Sequence, residues 1–188
     1  LIIISIITWI EFYALISKIY SKENTMNKLI RLTFKCISLA YLSLLVYYIL
    51  IIESNHPDLR IYIIYSVLIS IASDIGGLIV GKIIKGKKLT KISPKKTISG
   101  SLGAFFFSIS LIPFFLSYFS DFNILLLLVI TILISLTSQL GDLFISLLKR
   151  KAKVKDTSDI LPGHGGFLDR IDGIIFALPM GILLFKII

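Results

Sequence analysis

Carboxylates are scarce in this chain of 188 residues: eleven Asp and Glu stand against twenty Lys and Arg. Polar residues of every kind are too few to cover the surface of a soluble fold. Hydrophobic residues make up 56% of the chain and its mean hydropathy is +0.93, well above a soluble domain of this size. A single cysteine, Cys36, excludes an intrachain disulfide, and its place inside an apolar run reads as a buried packing thiol. His56, beside Pro57, reads as a solvated loop residue, and nothing near His164 forms a Ser–His–Asp or zinc pattern. Period-2 alternation is missing, which excludes a membrane β-barrel, and there is no internal repeat or low-complexity linker. No basic n-region or small-residue cleavage site precedes the first apolar run. The opening at Leu1 therefore reads as a partial N-terminus rather than a signal peptide.

What is abundant is long apolar runs, at roughly Leu1–Ile16, Leu29–Ile52, Ile61–Ile84, Ile98–Phe119, Phe122–Leu148 and Ile171–Ile188. Each approaches the length a helix needs to cross a hydrocarbon core of about 30 Å. The expected fold is all-α, a polytopic transmembrane bundle of about six spanning helices. The connectors sort by charge. The first, third and fifth are rich in Lys and Arg, while the second and fourth hold a single base, Arg60. This alternation places the basic connectors on the cytoplasmic side and both ends of the chain outside. Pro113 is expected to kink the fourth helix, and Gly77 and Gly81, four apart, to let the third pack closely on a neighbour. The net charge of +9 sits between lipid-soluble runs, so anionic lipid and phosphate-bearing ligands are the expected partners, not nucleic acid.

Carboxylates inside the apolar runs cost about 2.5–3.5 kcal/mol each on insertion scales, so they need a reason. Glu11, Asp74 and Asp142 are such residues. For Glu11 an interhelical hydrogen bond is as good a reading as a functional one. Asp74 and Asp142 lie at similar depth, toward the two most basic connectors. Asp142, Ser146 and Lys149 are spaced i, i+4, i+7 and share a helix face, which Ser135, Ser138 and Gln139 extend. The plain reading of this stripe is a polar interhelical seam. The fifth connector then opens basic and turns acidic and glycine-rich through Gly163, His164, Gly165, Gly166, Asp169, Arg170 and Asp172. Glycines let backbone amides approach a phosphate, and hard oxygen ligands suit Mg²⁺ when phosphates complete its shell. An acidic N-cap on the last helix is the plainer account of Asp169. The third connector supplies Lys82, Lys87, Lys88 and the stretch Ile92-Ser93-Pro94-Lys95-Lys96-Thr97. Its Gly–Lys spacing is not that of a Walker A loop, and lipid-headgroup contact is its plainer reading.

Taken together, Ser146 to Asp172, SLLKRKAKVKDTSDILPGHGGFLDRID, resembles the signature of the phosphatidate cytidylyltransferases, the CDP-diacylglycerol synthases. Ser138-Gln139-Leu140-Gly141-Asp142 and the third connector are similar too, so the resemblance covers about Asp74 to Ile188. Two departures stand out: Ser99 and Ile145 occupy positions where the family commonly has Glu. The paired absence reads as two carboxylates that would share one basic group or metal.

The resemblance implies a single membrane domain over 1–188, with N-terminal helices in 1–70 and the catalytic part in 71–188. It implies CTP and phosphatidate as substrates within the lipid bilayer, leaves a homodimer open, and sets the site on the cytoplasmic face of a bacterial inner membrane. On this reading Asp142 and Asp169 ligate Mg²⁺, with Asp172 and Asp74 as second candidates. Lys149, Arg150 and Arg170 neutralise phosphate charge. Gly163, His164, Gly165 and Gly166 approach CTP, and Ser93, Lys95 and Lys96 hold the lipid phosphate or the nucleotide. The alternatives carried beside it are a related polyprenol or lipid-phosphate CTP-dependent transferase, an ion-coupled transporter, and an inactive scaffold.

Overall fold

In hydrocarbon a backbone N–H or C=O finds no partner outside its own segment, so apolar runs of this length become helices. The computed structural model describes every residue except 91, 121, 161, 162, 164 and 188. Its helices are α1 (Ile2–Ile19), α2 (Thr25–Asn55), α3 (Arg60–Ile84), α4 (Ile98–Ile109), α5 (Ile112–Phe115), α6 (Ile124–Lys151) and α7 (Leu168–Ile187). A short 3₁₀ turn, Pro57–Leu59, precedes α3. No strand is formed among the described residues.

Among the described residues, five segments are long and apolar enough to cross a membrane: α1, α2, the turn with α3, α4 with α5, and α6. The protein is thus a polytopic helical membrane protein. The sixth expected span falls on α7, whose 20 residues carry Asp169, Arg170, Asp172 and Lys186. Helix boundaries differ from the apolar runs where polar groups satisfy the ends. Asn24 Oδ1 accepts from Asn27 N at 2.8 Å and starts α2 at Thr25, ahead of its apolar run. Pro113 does more than kink its segment. With no N–H to give and a ring that collides with the carbonyl four residues back, it ends α4 at Ile109. Cys36 is exposed on α2, correcting its reading as a buried thiol.

The chain divides into two compact units, one of Leu1–Pro57 with Ile145–Ile171, the other of Asp58–Phe144 with Asp172–Ile188. In the first unit, Trp9 Nε1 of α1 donates to the Lys35 carbonyl of α2 at 3.3 Å. The Lys35 ammonium lies over Trp9 and Tyr13, 5.6 and 5.2 Å from their ring centroids. Leu15, Ile16, Ile145 and Leu168 form part of its buried apolar interior.

The second unit is held by three different contacts. Tyr62, Tyr65, Phe115, Phe119, Phe122 and Phe185 form an aromatic cluster, with Tyr62 stacked on Phe185 at 4.4 Å. Buried hydroxyls pair across α3 and α6: Tyr65 with Thr131 at 2.7 Å, Ser70 with Ser138 at 2.7 Å, and Ser135 donating to Ser73 at 3.1 Å. Finally, α3 meets α4 through glycines, as Gly77 and Gly81 lead one to expect. The contact extends to the neighbouring Gly76, facing Gly103. A Cβ on Gly103 would lie 2.4 Å from Val80 Cβ and 2.9 Å from the Gly76 carbonyl oxygen. Gly103→Ala is therefore expected to force the two helices apart and destabilise the protein by about 1–3 kcal/mol. Thermal unfolding in detergent measures this, and an unchanged midpoint would mean that α3 and α4 do not pack at glycine distance.

Candidate functional site

The third connector folds into a small hairpin that aims its lysines. Lys85 and Gly86 turn the chain out of α3 with φ of 57° and 114°. Leu89 N donates to the Lys96 carbonyl at 2.8 Å, and Ile98 N to the Lys87 carbonyl at 3.0 Å. At the tip, Lys96 N donates to the Ser93 carbonyl at 3.0 Å, closing a four-residue turn with Pro94 second, where its fixed φ fits. Thr97 then caps α4 by accepting from Gly100 N at 3.0 Å. Ser99, at one position where a glutamate is usual, donates to the Lys85 carbonyl and so ties the ends of the hairpin together.

This hairpin closes over a cavity of about 750 Å³ in the second unit, between α3, α4 and α6. Ser93, Lys95 and Lys96 line it, together with Lys82, Asp74 of α3, and Gln139 and Asp142 of α6. The Lys96 ammonium forms an ion pair with Asp142 Oδ2, across 46 residues of sequence. The structure thus gathers, within one unit, Asp74, Asp142 and the three substrate-binding candidates of the third connector. Gln139, which the sequence shows only as part of a polar stripe, belongs to the same cavity. Its Oε1 accepts from Ser101 Oγ at 2.6 Å, and its buried Nε2 meets no acceptor among the described residues.

The first unit holds the glycine-rich connector around a second ion pair. Lys149 Nζ donates to Asp169 Oδ1 at 2.5 Å, and both side chains are largely buried. Asp169 Oδ2 accepts from Thr157 N at 2.8 Å, Thr157 Oγ1 at 3.0 Å and Gly166 N at 3.0 Å. Burial alone would raise the Asp169 carboxyl, but the Lys149 hydrogen bond and the backbone N–H groups of Thr157 and Gly166 outweigh it. They hold the carboxyl below its ordinary value. Asp169 is thus the partner of Lys149 and lies inside the first turn of α7, one residue past its start at Leu168, rather than at the N-cap.

Glu11 is the residue whose role the sequence left undecided. Its carboxylate is 2% exposed. It accepts from Ser158 Oγ at 2.5 Å, Phe167 N at 3.0 Å and Leu168 N at 2.7 Å, and competes with Asp169 for the single Thr157 hydroxyl proton, with Thr157 Oγ1 at 3.1 Å. Two of these donors are N–H groups at the start of α7 that have no intrahelical partner. That is why α7 begins at Leu168, three residues before its apolar run. Beside it, Gly166 has no room for a side chain: a Cβ there would lie 1.8 Å from Thr157 Oγ1 and 2.8 Å from Glu11 Oε2. No local spacing reveals this role, because the hydroxyl partners lie about 146 residues away in sequence. The only sequence signal was an unexplained carboxylate in an apolar run.

The remaining candidates are placed as follows. Gly163 and Gly165 adopt φ of 72° and 80°, and Gly163 has open space around it. The Gly166 N–H is taken up by Asp169. Arg150 and Arg170 are exposed. Asp172 is 7% exposed, its Oδ1 accepting from Gly173 N at 2.8 Å within the second unit. Ile145, the other departure, is 2% exposed in the first unit's apolar interior. His164 lies outside the described residues.

Among the described residues no three His, Cys, Asp or Glu side chains gather around one point. A Mg²⁺ ion that takes one or two carboxylates and fills its shell with water and substrate phosphate needs no such cage. Asp74 and Asp142, two hard-oxygen donors on one cavity, fit that requirement. At Asp169 a cation would take the place of Lys149 at Oδ1.

A phosphatidate cytidylyltransferase of Staphylococcus aureus (strain COL) is 47% identical over 122 residues, which cover 63% of this chain and 46% of that protein. One from Staphylococcus saprophyticus is 42% identical over 158 residues, 82% of this chain and 59% of the relative. One from Staphylococcus epidermidis is 46% identical over 131 residues, 68% and 50%. The chain spans about half the length of the curated relatives it matches. Residues 2–188 match the Cytidylyltransferase family. With that match running through both ion pairs and the lysine-bearing hairpin, the chain belongs to the cytidylyltransferase family.

Proposed function

We propose that the full-length protein carrying this chain is a phosphatidate cytidylyltransferase, converting CTP and phosphatidate to CDP-diacylglycerol and pyrophosphate. The observation that carries this reading is the cavity of the second unit. Lysines and a serine from a tight turn line it together with two carboxylates set in apolar helices. That is a place for a charged headgroup whose tails stay in lipid. The names of the bacterial relatives supply the reaction. The alternation of basic connectors supports a site on the cytoplasmic face of the inner membrane, where CTP is made.

In this reaction an oxygen of the lipid phosphate attacks the α-phosphorus of CTP, and the bond from that phosphorus to the β-phosphate oxygen breaks. The nucleophile is already anionic at neutral pH, so no activated serine or strong base is required. What opposes reaction is the approach of two polyanions, and placement with charge neutralisation can overcome that. Lys95 and Lys96, with Ser93, bind one phosphate group, Lys96 exchanging part of its contact with Asp142 for the substrate. In the first unit, Lys149, Arg150 and Arg170 are assigned to phosphate charge, and the amides of Gly163 and Gly165 to close approach of the nucleotide. Mg²⁺, when bound, neutralises phosphate charge and stabilises the leaving pyrophosphate. Its candidate ligands are Asp142, beside Asp74 on the cavity of the second unit, and separately Asp169 in the first, with Asp172 in second place.

The test is direct. Full-length protein in detergent, given labelled CTP, phosphatidate and Mg²⁺, is expected to form CDP-diacylglycerol and release pyrophosphate. Chelation should stop turnover and Mg²⁺ should restore it. A folded, full-length sample that makes no CDP-diacylglycerol would end this reading. Turnover that survives chelation would end the metal assignment alone.

A further inference from the structure

One polar atom in the cavity has no partner among the described residues. Gln139 Nε2 is buried and unpartnered, while the Oε1 of the same amide is held by Ser101 Oγ. The serine bond orients the amide and leaves an N–H donor without an acceptor. Leaving such a donor buried is costly unless something that comes and goes satisfies it.

Its position restricts what that partner is. Gln139 and Asp142 both line the cavity from α6 and are three residues apart, so their levels differ by about 4.5 Å along the helix. Asp142 is at the level of Lys96 and lies nearer the basic end of α6, at Lys149–Lys151. Gln139 is nearer the middle of the span, lining the same cavity as Ser73 and Ala104. The lysines of the cavity serve an anion. A neutral amide N–H one turn deeper suits a neutral acceptor that cannot move to the aqueous side. In a glycerophospholipid the acyl-ester carbonyls lie a few bonds past the phosphate, toward the tails.

We propose that Gln139 is a specificity-determining residue whose Nε2–H donates to an acyl-ester carbonyl of a lipid substrate with its phosphate at Lys95 and Lys96. This rests on the phosphatidate reading above and refines it. The amide would then select diacyl over diether lipid, because an ether leaves the buried donor unpaired.

The experiment compares dioleoyl phosphatidate with its dialkyl ether analogue in mixed micelles, using the full-length enzyme and its Gln139→Leu variant. The wild type is expected to favour the diester about tenfold in kcat/KM, roughly one hydrogen bond's discrimination. Gln139→Leu should bring the two lipids within about twofold by losing activity only on the diester, with the KM for CTP unchanged. A wild-type enzyme indifferent to the ester overturns the proposal whether or not the variant folds. So does an equal loss on both lipids, the result expected of damaged packing. A raised KM for CTP also overturns it, assigning the amide to the nucleotide. If the wild type turns over neither lipid, the parent reading fails instead.

Discussion

Asp142→Asn in the full-length protein is expected to lower kcat for cytidylyl transfer by about 100–1000-fold, with little change in the amount of folded protein. Asp142 meets Lys96 in an ion pair on the cavity wall, and the substitution keeps its shape while removing its charge. Asparagine can still accept a hydrogen bond from Lys96, so the hairpin stays closed. What is lost is the negative charge that pairs with Lys96 and that, on the proposed reading, would hold a cation. Single-turnover rates at several Mg²⁺ concentrations check this. A near-normal rate with unchanged Mg²⁺ dependence would remove Asp142 from the machinery. The matching change at Asp169 should differ in kind. Every donor around that carboxylate, from Lys149, Thr157 and Gly166, needs an acceptor. Any orientation of an asparagine amide sets N–H against N–H, so Asp169→Asn should lose folded protein as well as turnover.

Glu11→Ala should be the most damaging single change outside the cavity. It strips the acceptor from two backbone N–H groups at the start of α7 and two hydroxyls of the Thr157-Ser158 turn. Buried donors left without partners cost about 1–3 kcal/mol each. Because the hydroxyls can reorient, about 3 kcal/mol is expected in all. Thermal unfolding in detergent should register the loss, and hydrogen exchange should rise over residues 156–168 before it rises elsewhere. Glu11→Gln should fall between, since its amide keeps one acceptor oxygen and turns two N–H groups toward donors. If Glu11→Ala protein melts and exchanges like the wild type, the carboxylate does not seat α7.

The spans were legible in the sequence because lipid leaves the backbone only one arrangement. Apolar length therefore translated into helix for α1, α2, α3 and α6 with shifts of a few residues. Those shifts have chemical causes: Asn24 extends α2 at its start, and Glu11 with Asp169 extends α7. Pro113 was legible as a disturbance, and its lost N–H and ring clash made the disturbance a break. The small-residue face of α3 was legible too, because glycines four apart face one way on any helix. Which glycines of α4 they meet was not, since that depends on where α4 presents Gly100 and Gly103.

At the candidate site the division is similar. Sequence alone determined that carboxylates, lysines and glycines cluster at the ends of apolar segments, and it singled out Asp142, Asp169, Lys149, Lys95 and Lys96. Only the tertiary structure decided their partners. Lys96 takes Asp142 from 46 residues away, and Glu11 takes Thr157 from about 146. Such pairings leave no periodic trace, because a buried charge is satisfied by whatever the fold brings within about 3 Å, not by its neighbours in sequence. For the same reason the unpaired amide of Gln139 became visible only once the cavity had walls.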